Sequence, residues 1–171
     1  QIFFFKKLET VPMWLGSRIH EWIAELLVGK EQSEILLLAQ QDIIRGWEQM
    51  QRNYSMWQER PHGHKIKQHP FFLESIIQDQ LDERILEFST EKMSNCLQAV
   101  IDEEIPELFE KSRRDNLYTF VEQVEEPWTL GIELEPPPAY ARENTSDDLF
   151  VHAILDCAIE TSPGKYKIFD W

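Results

Sequence analysis

The feature that most constrains the fold is the last stretch of the chain, from Phe150 to Trp171. It reads Phe-Val-His-Ala-Ile-Leu-Asp-Cys-Ala-Ile-Glu, then Thr-Ser-Pro-Gly, then Lys-Tyr-Lys-Ile-Phe-Asp-Trp. Two runs rich in β-branched and aromatic residues around a Pro-Gly turn signal predict an antiparallel hairpin. Strand alternation puts Ile154, Asp156 and Ala158 on one face of the first run, and Tyr166, Ile168 and Asp170 on one face of the second. An aspartate on a half-buried strand face is costly unless a donor or a cation meets it. The partner of these two carboxylates is the question the rest of the chain must answer.

Hairpin register sharpens that question. With a five-residue loop from Thr161 to Lys165, Glu160 faces Tyr166 and Asp156 falls opposite Asp170, with Cβ atoms about 5 Å apart. A four-residue loop would put the two carboxylates on opposite faces instead. Two ionised carboxylates that close repel, so one protonates or a cation sits between them. The first reading is a divalent metal site; the other is a pair of strand-end aspartates that face solvent or cap a turn.

A chain of 171 residues with 42% hydrophobic content is long enough for one domain with a real core. No apolar run reaches the roughly 20 residues of a membrane span, and no signal-peptide pattern is present. Two cysteines, Cys96 and Cys157, are too few for a disulfide scaffold or a four-cysteine cluster, which points to a reducing cytoplasm. The net charge of −14 excludes a surface that grips nucleic acid everywhere, so any such contact is local. The opening on Gln1, inside an apolar aromatic run, and the stop at Trp171 within a strand suggest a chain cut at both ends.

Along the chain, Gln1 to Lys7 reads as a buried segment or helix punctuated by Pro12. A helix is predicted from Ser17, with Ile19, Trp22, Ile23, Leu26 and Leu27 on one face and Gly29 as its stop. His20 falls on the border of that apolar stripe, where an imidazole is more commonly a hydrogen-bonded core residue than a ligand. Glu31 to about Trp57 continues as helix, with Ile35, Leu38, Ile43, Trp47 and Met50 inward. His62, His64 and His69 then stand among Arg60, Lys65 and Lys67 without a zinc-type ligand pattern, which reads as a basic interhelical loop able to touch a phosphate backbone. From Pro70 an amphipathic pattern runs through Phe72, Leu73, Ile76, Ile77, Leu81, Ile85 and Phe88. Thr90-Glu91 reads as a new helix start, with Met93, Leu97, Val100 and Ile101 inward, and Pro106 as a break or restart. Asp102, Glu103, Glu104, Glu107 and Glu110 form a solvated acidic face, and Lys111, Arg113 and Arg114 suit a helix C-terminus. After Asn116, short alternating runs at Tyr118 to Val121 and Trp128 to Leu134 read as strands, Pro136 to Pro138 as an interruption, and Ala139 to Asp148 as a polar loop.

Taken together, these pieces resemble a known family. Leu15-Gly16-Ser17-Arg18-Ile19-His20-Glu21 is similar to the Gly-x-x-x-His helix of RecB-like nucleases in the PD-(D/E)XK superfamily. Leu155-Asp156-Cys157, followed by Gly164 to Trp171, resembles that family's strand aspartate and the Asp-x-Lys of its next strand. The aromatic segment Gln1 to Lys7 resembles the one that precedes the histidine helix there. The resemblance implies an α/β (α+β) PD-(D/E)XK core with a large helical insert, as a single partial nuclease domain. Residues 1–30 would carry the histidine helix, 31–116 the insert, and 117–171 a β-meander with the metal-site hairpin.

The implied site joins His20, Asp156 and Asp170 around Mg²⁺ or Mn²⁺, with the Trp171 backbone carbonyl as a further ligand. Hard oxygen ligands with one imidazole suit either ion. The implied activity is metal-dependent DNA phosphodiester hydrolysis in repair, recombination or defence. Its partners would be DNA and a helicase or other subunit or domain, without a membrane. The family's lysine would be the residue after Trp171, so this chain alone is expected to be a poor catalyst. Cysteines that hold an iron–sulfur cluster in some relatives would fall outside these ends, so such a cluster is not supported within the chain. Two other readings use the same residues: an inactive nuclease-like fold serving as a protein-interaction scaffold, and a helical adaptor with a chance hairpin.

Overall fold

The computed structural model describes residues 8–62, 65–78, 82–121, 129–133, 150–154 and 156–171. The expected segment Gln1–Lys7, Leu81, Pro136–Pro138 and the polar loop 139–148 lie outside them. Among the described residues the helices come first: α1 Val11–Leu27, α2 Gln32–Glu59, α3 Leu73–Gln78, α4 Glu83–Asp102 and α5 Ile105–Arg114. The described strands follow: β1 Thr119–Val121, β2 Thr129–Glu133, β3 Phe150–Ile154, β4 Cys157–Ser162 and β5 Lys165–Phe169. The fold is a helix-rich α+β arrangement. Two compact units divide the chain, Gln1–Glu107 and Leu108–Trp171.

In the first unit, α1 begins earlier than the apolar periodicity predicts. Thr10 is its N-cap and its hydroxyl accepts from the Met13 amide at 3.4 Å, while Pro12 sits in the first turn. A proline there loses no helical hydrogen bond, so it starts the helix rather than breaking the chain before it. The other end matches expectation. Gly29 has φ of 96°, a left-handed conformation that stops a helix at little cost when no Cβ is present. The entry to α1 is tied to α3 by Leu73 N–H donating to the Glu9 carbonyl at 2.9 Å, and by Val11 N–H donating to Glu74 Oε1 at 3.1 Å.

The core of this unit is aromatic where α1, α2 and the segment before α3 meet. Trp14 packs edge-on against Phe72 with ring centroids 5.2 Å apart, and Trp47 meets the same ring at 5.7 Å. Gly46 makes room for that packing, since a Cβ there would lie 2.5 Å from Trp14 Cζ2. A second cluster joins Leu8, Tyr54, Ile66 and Phe71, with Trp57, Leu73 and Ile76 packed against it.

Thr90 does not start a new helix: α4 runs unbroken from Asp82, its N-cap, to Asp102. The hydroxyls of Ser89, Thr90 and Ser94 donate to the carbonyls of Ile85, Leu86 and Thr90, so these side chains satisfy themselves one turn back and interrupt nothing. Met93, Leu97 and Val100 are buried as expected, but Phe88 is 60% exposed and Ile77 75% exposed. Glu104, at φ of 54°, turns the chain between α4 and α5, and Pro106 lies in the first turn of α5 as a restart.

In the second unit the strands form two antiparallel sheets, ordered β1-β4-β5 and β2-β3. The hairpin is β4–β5, and its register is the predicted one: Glu160 faces Tyr166 and Cys157 faces Phe169. The strands run closer to the turn than a five-residue loop would allow, because Ser162 pairs with Lys165 and a bulge between Glu160 and Ser162 absorbs the extra residue. The first run is not one continuous strand. Its front half, β3, pairs with β2, and β4 begins anew at Cys157 after a bend at Asp156. Cys157, Ala158 and Ile159 are all buried, so both faces of this middle strand are covered over that stretch.

Candidate metal centre

The hairpin is stiffened first at its turn. Gly164, with φ of 75°, supplies the left-handed residue that the Pro163-Gly164 turn requires. Glu160 ties that turn to the start of β1: Oε1 accepts from the Gly164 amide at 2.7 Å and Oε2 from the Tyr118 amide at 2.9 Å. Its own amide donates to the Tyr118 carbonyl at 2.8 Å, so β1, β4 and the turn are locked through one residue. The Tyr118 amide, and then the Gly164 amide, hold the Glu160 carboxyl below its ordinary range. Sequence reading placed Glu160 opposite Tyr166 but missed this role. The available signal was an acid four residues before the turn glycine, where its side chain can reach back to the loop amide.

At the other end of the hairpin the ladder closes with Cys157 opposite Phe169. One further step in the same register is Asp156 with Asp170. In place of another backbone pair, the Trp171 amide donates to Asp156 Oδ2 at 2.9 Å. That bond explains the bend at Asp156, because a side chain rather than a main-chain carbonyl takes the amide, and the strand geometry ends there. Asp156 is 6% exposed, whereas Asp170 is exposed. Burial pushes the neighbouring Cys157 thiol up to about 12, and the charge of Asp156 adds to the effect. Cys157 is therefore a packing residue and not a nucleophile at neutral pH.

The structure thus joins Asp156 to the Trp171 amide, and Asp170 lies between Trp171 and the last paired residue, Phe169. His20 belongs to the other unit, half-buried on α1 beside Ile19, at the border of the stripe formed by Leu15, Ile19, Ile23 and Leu26. Within either unit, among the described residues, no three His, Cys, Asp or Glu side chains are gathered where they could hold a metal ion. Two carboxylates suit the way Mg²⁺ is commonly bound, through one or two carboxylates with water and substrate phosphate completing the shell. Carboxylate oxygens are the ligand type that a hard divalent cation takes. Cys96 and Cys157 are free thiols in different units, and Cys157 is buried.

Compared with protein-family models, curated proteins and solved structures, the chain matches none. Among the described residues no helix is long and apolar enough to cross a membrane.

Proposed function

We propose that the chain is the metal-binding portion of a RecB-like, PD-(D/E)XK-type DNA nuclease, hydrolysing phosphodiester bonds with Mg²⁺ or Mn²⁺ in repair, recombination or defence. The observation that carries this reading is the end of the β4–β5 ladder, where, one step beyond the Cys157–Phe169 pair, a buried Asp156 accepts from the Trp171 amide. Two carboxylates fixed on a stiff hairpin, one buried and one exposed, suit a protein-side and a solvent-side ligand of one ion. In this reading Asp156, Asp170, the Trp171 carbonyl and His20 are the ligands, and DNA is the substrate. When bound, the ion supplies polarisation of the scissile phosphate and an acidified water.

The chain's own contribution is positioning. The Trp171 amide fixes the rotamer of Asp156, and the Glu160 clasp keeps β5, and with it Asp170, from slipping in register. The setting is cytoplasmic, with a helicase or other subunit delivering the DNA. The test is Mn²⁺- or Mg²⁺-dependent cleavage of labelled DNA by the intact protein and by its His20→Ala and Asp170→Ala variants. Loss of cleavage with an unchanged circular dichroism spectrum is expected in both, and unchanged cleavage in either removes that residue from the site.

The second reading, an inactive nuclease-like scaffold, is favoured by the exposure of Phe88 and Ile77 on the helical unit, which suits a protein contact. It predicts no calorimetric response to Mn²⁺.

A further inference from the structure

No Asp or Glu stands between Glu59 and Glu74, the longest acid-free stretch in a chain of net charge −14. Within it Arg60, Lys65 and Lys67 are exposed, and among the described residues none of the three forms an ion pair. The segment is held at three points. Arg60 closes α2, its amide donating to the Met56 carbonyl at 3.2 Å. Between the two lysines, Ile66 is buried among Leu8, Tyr54 and Phe71. The Lys65 carbonyl accepts from the amides of Gln68 and His69 at 2.8 and 3.0 Å, which folds the turn back on itself. At the far end, the buried Asn53 on α2 donates to the Pro70 carbonyl at 2.6 Å and is itself oriented by Gln49 at 2.9 Å.

We propose that Lys65 and Lys67, on the turn that Ile66 anchors, together with Arg60 at the end of α2, form a nucleic-acid contact that grips phosphates. Cations already fixed to a packed turn lose little freedom on binding, so their attraction to phosphates is not spent on ordering the loop. The turn offers little to a bilayer, since Ile66 is buried in the core and its neighbours Lys65, Lys67 and Gln68 are polar. The choice of DNA as the polyanion rests on the nuclease reading of the hairpin; the patch itself does not. Because the chain's net charge is −14, phosphate contacts are confined to a few cations, and the salt dependence should be correspondingly shallow.

Three phosphate contacts on duplex DNA give a log–log salt slope of about −2.7, which is about a 40-fold loss of affinity between about 50 and 200 mM salt. The experiment is fluorescence anisotropy with a labelled duplex of arbitrary sequence, in Ca²⁺ to prevent cutting. The full chain is compared with Arg60→Gln/Lys65→Gln/Lys67→Gln and with the charge-keeping Arg60→Lys/Lys65→Arg/Lys67→Arg. The neutral variant is expected to bind at least about tenfold more weakly at low salt, with its slope near zero, while the charge-keeping variant binds like the parent. Equal affinity and slope in the neutral variant overturn the proposal, as does turn-dependent binding of phosphatidylserine vesicles with none of DNA. Turn-dependent DNA binding in an intact protein that cleaves nothing would leave the inference standing while the nuclease reading fails. Metal-dependent cleavage with turn-independent binding would do the reverse.

Discussion

Replacing Asp156 by Asn separates a carboxylate kept for a cation from one kept for the fold. The side chain is 6% exposed and accepts the Trp171 amide at 2.9 Å. A hydrogen bond to a charged group contributes about 1.5–3 kcal/mol and a neutral one about 0.5–1.5, so loss of the charge costs about 1 kcal/mol at this bond. Against that, removing a buried charge relieves a desolvation penalty of several kcal/mol. The metal-free Asn variant should therefore be at least as stable as the parent. With Mn²⁺ the order should invert. A ligand that binds only the folded state stabilises it by about 2.7 kcal/mol when present at about 100 times its dissociation constant, and the variant should gain none of this.

Urea denaturation followed by far-ultraviolet circular dichroism, with and without Mn²⁺, reads both quantities. Asp170→Asn is the control, since at an exposed site its metal-free stability should move by no more than about 0.5 kcal/mol while the response to Mn²⁺ is lost. An equal Mn²⁺ gain in parent and Asp156→Asn would refute the ligand assignment. A metal-free loss of more than about 3 kcal/mol would refute it differently, by showing that the carboxylate serves the hairpin.

Two further predictions concern the scaffold. Gly16 and Gly46 both lie inside helices, yet a Cβ at Gly16 meets nothing within 4 Å whereas one at Gly46 lies 2.5 Å from the buried Trp14 ring. Gly16→Ala should gain about 0.5–1 kcal/mol in thermal or urea unfolding, and Gly46→Ala should lose about 1–3 kcal/mol to overpacking less that same gain; equal shifts would contradict the packing. Gly16 also stands one turn before His20, so if substrate approaches that face, Gly16→Ala should cleave more slowly while melting higher. The Glu160 carboxyl titrates below its unfolded value of 4.5, so the stability it contributes is present above that pH and is lost as pH falls through the folded value. Glu160→Gln should flatten this acid-side decline, which urea midpoints measured across the acid range would show; an unchanged profile would mean that the clasp to Tyr118 and Gly164 does not form.

Where the sequence was legible, a local rule decided the outcome. The Pro163-Gly164 turn fixed the Glu160–Tyr166 register, which carries through to the Cys157–Phe169 pair. Gly29 ended α1 because few other residues adopt its φ without strain. Misreadings arose where two local signals competed. Pro12 was a helix starter rather than a breaker, and Thr90 resembled a cap until its hydroxyl found the carbonyl one turn back. Periodicity gave Phe88 and Ile77 an inward phase, but burial depends on whether a neighbouring element covers that phase, and both side chains remain exposed.

The candidate site divides along the same line. Asp156, Asp170 and Trp171 are close in sequence through the hairpin, so turn chemistry alone predicts their meeting, and the Trp171 amide on Asp156 is the contact that meeting produces. The bend that makes the contact was not legible, because it depends on a side chain replacing a backbone acceptor at the last rung. His20 is a different case. Helical phase puts it at the edge of an apolar stripe, where the structure also has it, but phase says nothing of what lies beyond that edge. Its assignment to the metal rests on resemblance alone. Loss of the Mn²⁺ response in Asp156→Asn with retention in His20→Ala would therefore keep the hairpin as a two-carboxylate cation site and remove the histidine helix from it.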